Sequence, residues 1–160
     1  MAVDMFLKLS AISGESLDKT HKAEIDVLAW SWGASNSGTA HMGGGAGAGK
    51  ANFQDISLTK YIDKSSPTLF QHVAKGTHID EAKLTVRKAG GNPVEYVVIT
   101  MNECLITSLS TGGSGGEDRL TENVTINFAK VKLEYTEQDA KGSKGTTIPF
   151  TYNIAANSEA

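Results

Sequence analysis

ENVTINFAKVKLEY, Glu122 to Tyr135, alternates apolar and polar residues along its whole length. Val124, Ile126 and Phe128 fall on one parity, and Val131, Leu133 and Tyr135 on the other. A period of two marks a strand with one buried face, whereas a helix repeats its apolar residues every three to four positions. The stretch therefore reads as one long strand. Its inward parity changes near Ala129 and Lys130, which predicts a bulge or sharp bend there.

The same alternation extends outward in both directions. Val3, Met5, Leu7 and Leu9 share one face, and Ile25, Val27 and Ala29 oppose Leu28, Trp30 and Trp32. Further strand candidates run from Gln54 to Thr59, Ala82 to Lys88, Val94 to Met101, Leu105 to Leu109 and Thr147 to Asn153, punctuated by turn signals such as GGNP at Gly90 to Pro93. Short strands at this spacing predict a mainly β fold, a small antiparallel β-barrel or two-sheet sandwich. One short helix interrupts them in DKSSPTLFQHVAKG, where Ser66 is placed to cap, Pro67 takes the first helical position and Gly76 closes the end. Its apolar stripe is Leu69, Phe70 and Val73, and so short a helix needs packing on the sheet to persist.

With 160 residues, 39% hydrophobic and 21% charged, the chain suits one domain spanning 1–160. A net charge of -3 and the lack of any basic run argue against a nucleic-acid partner. The longest apolar cluster, around Val97 to Met101, is too short to span a bilayer, so no membrane insertion is expected. Asp4 and Lys8 interrupt the apolar N-terminus, so it does not read as a secretory leader. The lone Cys104, in an apolar stretch, reads as a small buried side chain in a protein that folds in a reducing compartment.

Several glycine motifs imitate catalytic signatures without their context. HMGGGAGAGK, His41 to Lys50, spaces Gly44, Gly49 and Lys50 as a phosphate loop does, but Ala51 stands where a metal-binding hydroxyl belongs and the chain runs on into a strand, not a helix. It reads instead as a long flexible loop over about 33–50. Gly112, Ser114 and Gly116 match the G-x-S-x-G elbow of a serine hydrolase, yet no helix follows the serine. His21, His41, His72 and His78 have no metal-ligand spacing. No catalytic residue, metal or cofactor is expected.

Six strings together carry a resemblance: MAVDMFLKL at the start, EIDVLAWSWG at Glu24 to Gly33, HMGGGAGAGK, TKYIDKSSP at Thr59 to Pro67, KLTVRKAGG at Lys83 to Gly91, and STGGSGGEDRLTENVTINFAKV at Ser110 to Val131. The chain resembles the Hcp proteins, tube-forming components of the bacterial type VI secretion system, almost to its end. The resemblance implies a β-barrel with one flanking helix and a long Gly-rich loop, closing into a homohexameric ring with a wide channel. It further implies stacking of rings into a tube, and as partners a VgrG-type spike, a contractile sheath and a baseplate. Small effector proteins held in the channel, assembly in the bacterial cytoplasm and secretion without a cleaved signal peptide are implied too.

Against that expectation the residues take roles. Immobilising the Gly-rich loop alone would cost about 20 to 30 kcal/mol of conformational entropy, so Ser35, His41, Met42, Gly43, Gly44, Gly45, Gly47, Gly49 and Lys50 are expected to form a connector docked on a neighbouring ring. Trp30 and Trp32 fit the core, which leaves Ala29 and Ser31 to face either the channel or a subunit seam, the channel being preferred. The strands Ala82 to Lys88 and Val94 to Met101 are apolar on both faces, and the second face would be buried between subunits. Glu117, Asp118 and Arg119 would lie in a loop at a subunit seam. Two rival functions remain: a stand-alone β-sandwich that binds a small ligand, and a hydrolase using Ser114.

Overall fold

The long strand exists and does two jobs. β8, Thr121–Gln138, pairs along one edge with β7, Val94–Thr111. Along its other edge it changes partner, with residues Thr121 to Ile126 on β5, Ile56–Tyr61, and Lys130 to Gln138 on β9, Lys144–Asn153. The computed structural model describes residues 2–38, 50–90, 93–139 and 142–159. Its other elements are β1 Val3–Leu9, β2 Ile25–Ser31, β3 Ala34–Ser35, β4 Asn52–Phe53, α1 Ser66–Lys75 and β6 His78–Lys88.

The main sheet runs β5-β2-β1-β6-β7-β8-β9, and the added β5–β8 pairing closes its first six strands into a barrel with β9 outside the circuit. Every pairing is antiparallel. Closure removes the free edges that an open sheet would expose. β3 and β4 form a separate two-stranded ribbon. Leu7, Ile25, Ile56, Leu58, Leu84, Ile99, Met101 and Ile126 fill the barrel, and Leu69 of α1 packs into the same core. Alternation of strand direction sorts the connections: residues 10–24, 62–77 and 112–120 lie at one end, and 32–38, 50–55, 89–90, 93, 139 and 142–143 at the other.

Four expectations need correction. First, burial on β8 switches from Glu122, Val124, Ile126 and Phe128 to Val131, but the register against β7 holds from Val97↔Tyr135 through Asn102↔Lys130 to Cys104↔Phe128. No residue is inserted at Ala129 or Lys130. The irregularity sits on the facing strand, where Glu103 adopts φ 55, and the parity changes because β8 passes from one neighbour to another over the same residues. Second, Val94 to Met101 and Leu105 to Leu109 are one strand, carried past Asn102 and Glu103 by that same left-handed residue.

Third, Ser65 is the helix cap residue, with no side-chain capping bond, and Ser66 is the first helical residue, its hydroxyl committed elsewhere. Gly76 does close the helix in the left-handed region at φ 64. Of the expected stripe only Leu69 is buried; Phe70 is 43% and Val73 36% exposed. Fourth, a register shift between Val27 and Ala29 turns Leu28 outward while Trp30 and Trp32 pack, half-buried, against the core.

Candidate functional site

The Gly-rich segment springs from a built platform. Trp32 stacks on Phe53 of β4 with centroids 5.9 Å apart and tilts against Phe128, while its indole N–H donates to the Gln54 carbonyl at 2.9 Å. Phe53 in turn meets Phe150 at 6.4 Å and Tyr152 at 5.2 Å, both on β9. Aromatic faces bring large contact area with little rotamer entropy, so the β3–β4 ribbon is pinned across the face of β9. Ala34 pairs with Phe53 and Ser35 with Asn52, which sends the chain outward at Ser35 and returns it at Lys50. Ser35 and Lys50 are exposed; His41, Met42, Gly43, Gly44, Gly45, Gly47 and Gly49 lie outside the described residues.

Ala29 and Ser31 are exposed on the outer face of β2, on the side away from Trp30 and Trp32. Glu117, Asp118 and Arg119 are exposed in the β7–β8 connection, but Arg119 is engaged within its own chain, its guanidinium 3.7 Å from the centre of the Tyr61 ring. These sets are therefore separate surfaces: the β3–β4 ribbon is at the opposite barrel end from 112–120, with the β2 face along the wall. Large apolar side chains also remain at the surface, with Ile148 54%, Tyr135 47% and Phe150 39% exposed on β8 and β9, besides Phe70 and Val73 of α1.

Sequence reading missed two ionic networks. At the closing seam Lys60 of β5 lies directly opposite Glu122 of β8, and its ammonium is 2.6 Å from the carboxylate. Lys60 also donates to the Tyr61 carbonyl at 2.8 Å and lies 3.2 Å from Asp63. The Ser66 hydroxyl donates to Glu122 at 2.8 Å while accepting from the Asp63 N–H and from Lys60, so α1 is bolted to the seam. Both charged side chains are almost wholly buried, at 1% and 0% exposure. The hint was Glu122 and Lys60 on the inward parity of their strands, where a charge must find a partner.

In the second network Arg87 of β6 grips Asp18 through both nitrogens, at 2.7 and 3.0 Å, and reaches Asp4 at 3.2 Å. The guanidinium holds the Asp18 carboxyl well below the usual carboxylate range, and Asp18 in return raises Arg87. Beside it His21 is wedged between Glu24 and Glu95.

Catalytic context is missing around the suspected elbow. Ser114 lies in an exposed turn between two strands, its hydroxyl accepting weakly from the Gly116 N–H at 3.4 Å. Cys104 is buried, and burial pushes its thiol up to about 12. Among the described residues no group of three or more His, Cys, Asp or Glu is placed to hold a metal, and no helix is long and apolar enough to cross a membrane. A surface groove of about 460 Å³ interleaves Lys83 and Arg87 with Glu95 and Glu134, unlike the mainly apolar enclosure of a small-molecule site.

Residues 6–135 match the profile of the family described as type VI secretion system effector, Hcp. Over 162 aligned residues the chain is 61% identical to protein hcp1 of Pseudomonas aeruginosa, covering 100% of both. It is similar to the crystal structure of Hcp1 from Salmonella typhimurium, with 37% identity, TM-score 0.81 and full coverage of both chains. A solved type six secretion system protein superposes with TM-score 0.92 at 29% identity, over 99% of this chain and 100% of that one.

Proposed function

The chain belongs to the Hcp family of type VI secretion system proteins, and from that premise we propose that it is the subunit of a secreted tube. Its place is in the secretion apparatus as a structural, exported protein and not as an enzyme. On the proposed reading residues 1–160 form one tube domain that closes into a homohexameric ring. Rings stack through the segment Ser35 to Lys50, and the tube engages a VgrG-type spike, sheath and baseplate. Ala29 and Ser31 face the channel and touch effector proteins carried there. Glu117 and Asp118 take part in a seam between subunits, with Arg119 held beside them on Tyr61. Assembly takes place in the bacterial cytoplasm, before export without a cleaved leader.

The observation that carries this reading is the apolar surface left over after the barrel has closed. Ile148, Tyr135, Phe150, Phe70 and Val73 are all at least 36% exposed, although the core itself is complete. A soluble monomer seldom presents that many large apolar side chains outside its core without a partner for them. Native mass spectrometry and electron microscopy of the purified protein test it, with hexameric rings expected. A monomer at micromolar concentration overturns the ring. Deleting Gly43 to Gly49 is expected to leave rings and abolish stacking, and intact tubes would dismiss the connector. Ser31→Glu is expected to lower effector retention in folded rings, and unchanged retention would move Ser31 off the channel.

A further inference from the structure

We infer that His21 is a proton-operated clasp that fastens residues 13–24 to the barrel wall. Its Nδ1 is 2.9 Å from Glu24 Oε2 and its Nε2 is 2.7 Å from Glu95 Oε1. A carboxylate only accepts hydrogen bonds, and a neutral imidazole has a single N–H to give. Both contacts are hydrogen bonds only when the ring carries two protons. The ring lies flat on Phe6 of β1, centroids 4.5 Å apart and planes 9° from parallel, and the residue is buried.

Charged groups face it from several elements, and Lys83 of β6, Glu134 of β8 and Lys144 of β9 line the groove that Glu95 and Arg87 share. Glu24 belongs to the loop itself and Glu95 to β7. Arg87 of β6 sits 5.1 Å from the centre of the Phe6 ring and is bound to Asp4 and to Asp18, the latter also in the loop. The loop has its own frame, with the Gly14 N–H donating to Ala23 at 2.8 Å, the Ser16 N–H to Glu24 at 2.9 Å and the Ala23 N–H to Ser16 at 2.9 Å. Side chains tie that frame to the strands through His21–Glu95, Asp18–Arg87 and Thr20–Arg87, and to the β5–α1 connection through Glu15, which accepts from the Lys64 N–H at 2.7 Å.

Loss of one ring proton leaves a carboxylate oxygen facing a nitrogen lone pair. Glu95 is the partner that leaves, because its side chain is 43% exposed and can turn to water, whereas Glu24 is 14% exposed. The loop then keeps the bonds of Asp18 and Thr20 to Arg87 and of Glu15 to the Lys64 N–H, and loses its tie to β7.

Hydrogen-exchange mass spectrometry of the full chain, on peptides covering residues 13–24 and corrected for the intrinsic pH dependence of exchange, reads the clasp directly. Protection is expected to fall about tenfold between roughly pH 5.5 and pH 8.5, the loss of one charge-assisted hydrogen bond. His21→Gln is expected to abolish that pH dependence. Glu95→Gln is expected to keep the loop protected at both pH values, since a carboxamide can donate to the deprotonated nitrogen. Wild-type protection that does not change with pH, or Glu95→Gln that follows the wild-type profile, overturns the inference.

Discussion

Lys60 and Glu122 make the sharpest prediction about why the barrel closes where it does. At 2.6 Å and an effective dielectric of about 20, their attraction is about 6 kcal/mol, and removing two ions from water costs several kcal/mol each. The pair as a whole is therefore close to neutral for stability. Either ion alone is not. Lys60→Met leaves Glu122, already with one carboxylate oxygen unpartnered, buried without its cation. Glu122→Met leaves the ammonium with Asp63 at 3.2 Å and the Tyr61 carbonyl, and removes the acceptor of the Ser66 hydroxyl. Lys60→Met is expected to cost about 3 to 5 kcal/mol, and Glu122→Met less, because Asp63 stays beside the ammonium. The double variant Lys60→Met/Glu122→Met replaces both with straight chains of similar length and is expected to return to within about 2 kcal/mol of the wild type, the remainder being the orphaned hydroxyl and Asp63 without its cation. Urea unfolding at one fixed protein concentration, with unchanged m, measures all four members of the cycle. Singles costing under about 1 kcal/mol, or a double variant as damaged as the worse single, would refute this account of a buried pair worth little in itself and much to break.

Other expectations follow from single sites. The Asp18 carboxyl is depressed in the folded protein by Arg87, so its contribution is present above the ordinary carboxylate range and is lost as pH falls through it; Asp18→Asn is expected to flatten the acid limb of a stability–pH curve. A Cβ on Gly14 would come within 2.5 Å of the Glu24 carbonyl and 2.8 Å of Ile25 Cα, both backbone, so Gly14→Ala is expected to cost about 1 to 3 kcal/mol by thermal unfolding. Cys104 is expected to resist a thiol reagent in the native protein and to react at once in denaturant. Phe150→Ala is expected to cost about 1 to 2 kcal/mol and to speed tryptic cleavage after Lys50, because the β3–β4 ribbon loses one of its supports.

Period-two alternation made the strands legible because burial inside a barrel acts on every second side chain; β5 obeys it residue by residue, whereas β1 buries the adjacent Phe6 and Leu7 and β8 changes parity between Phe128 and Val131. It misplaced Leu28, since a one-residue register shift after Val27 cannot be seen in the pattern itself. Ser66 showed the limit of local rules. Two adjacent serines precede Pro67, and which of them caps depends on Glu122, 56 residues away. The aromatic platform was invisible for the same reason: Trp32, Phe53 and Phe150 are apolar residues in three strand-like contexts, and only the fold-back of β3–β4 over β9 makes them one cluster. His21 was noted only for its lack of metal spacing; its carboxylates stand 3 and 74 residues away, and no short motif joins them.

Division of labour along β8 explains why the platform can serve an assembly surface without endangering the barrel. Its first half closes the barrel through β5, and residue pairs Leu58↔Val124 and Ile56↔Ile126 bury their side chains completely there. Its second half pairs with β9, which lies outside the closed circuit and whose residues Lys144 to Phe150 are all exposed. A perturbation at the seam loosens the strand that both regions share, so it must reach β9. A perturbation on β9 removes only a ladder that closure does not use. The dependence runs one way, and it places Ile148 and Phe150 on the element that barrel closure does not use, with Tyr152 as its contact to the core.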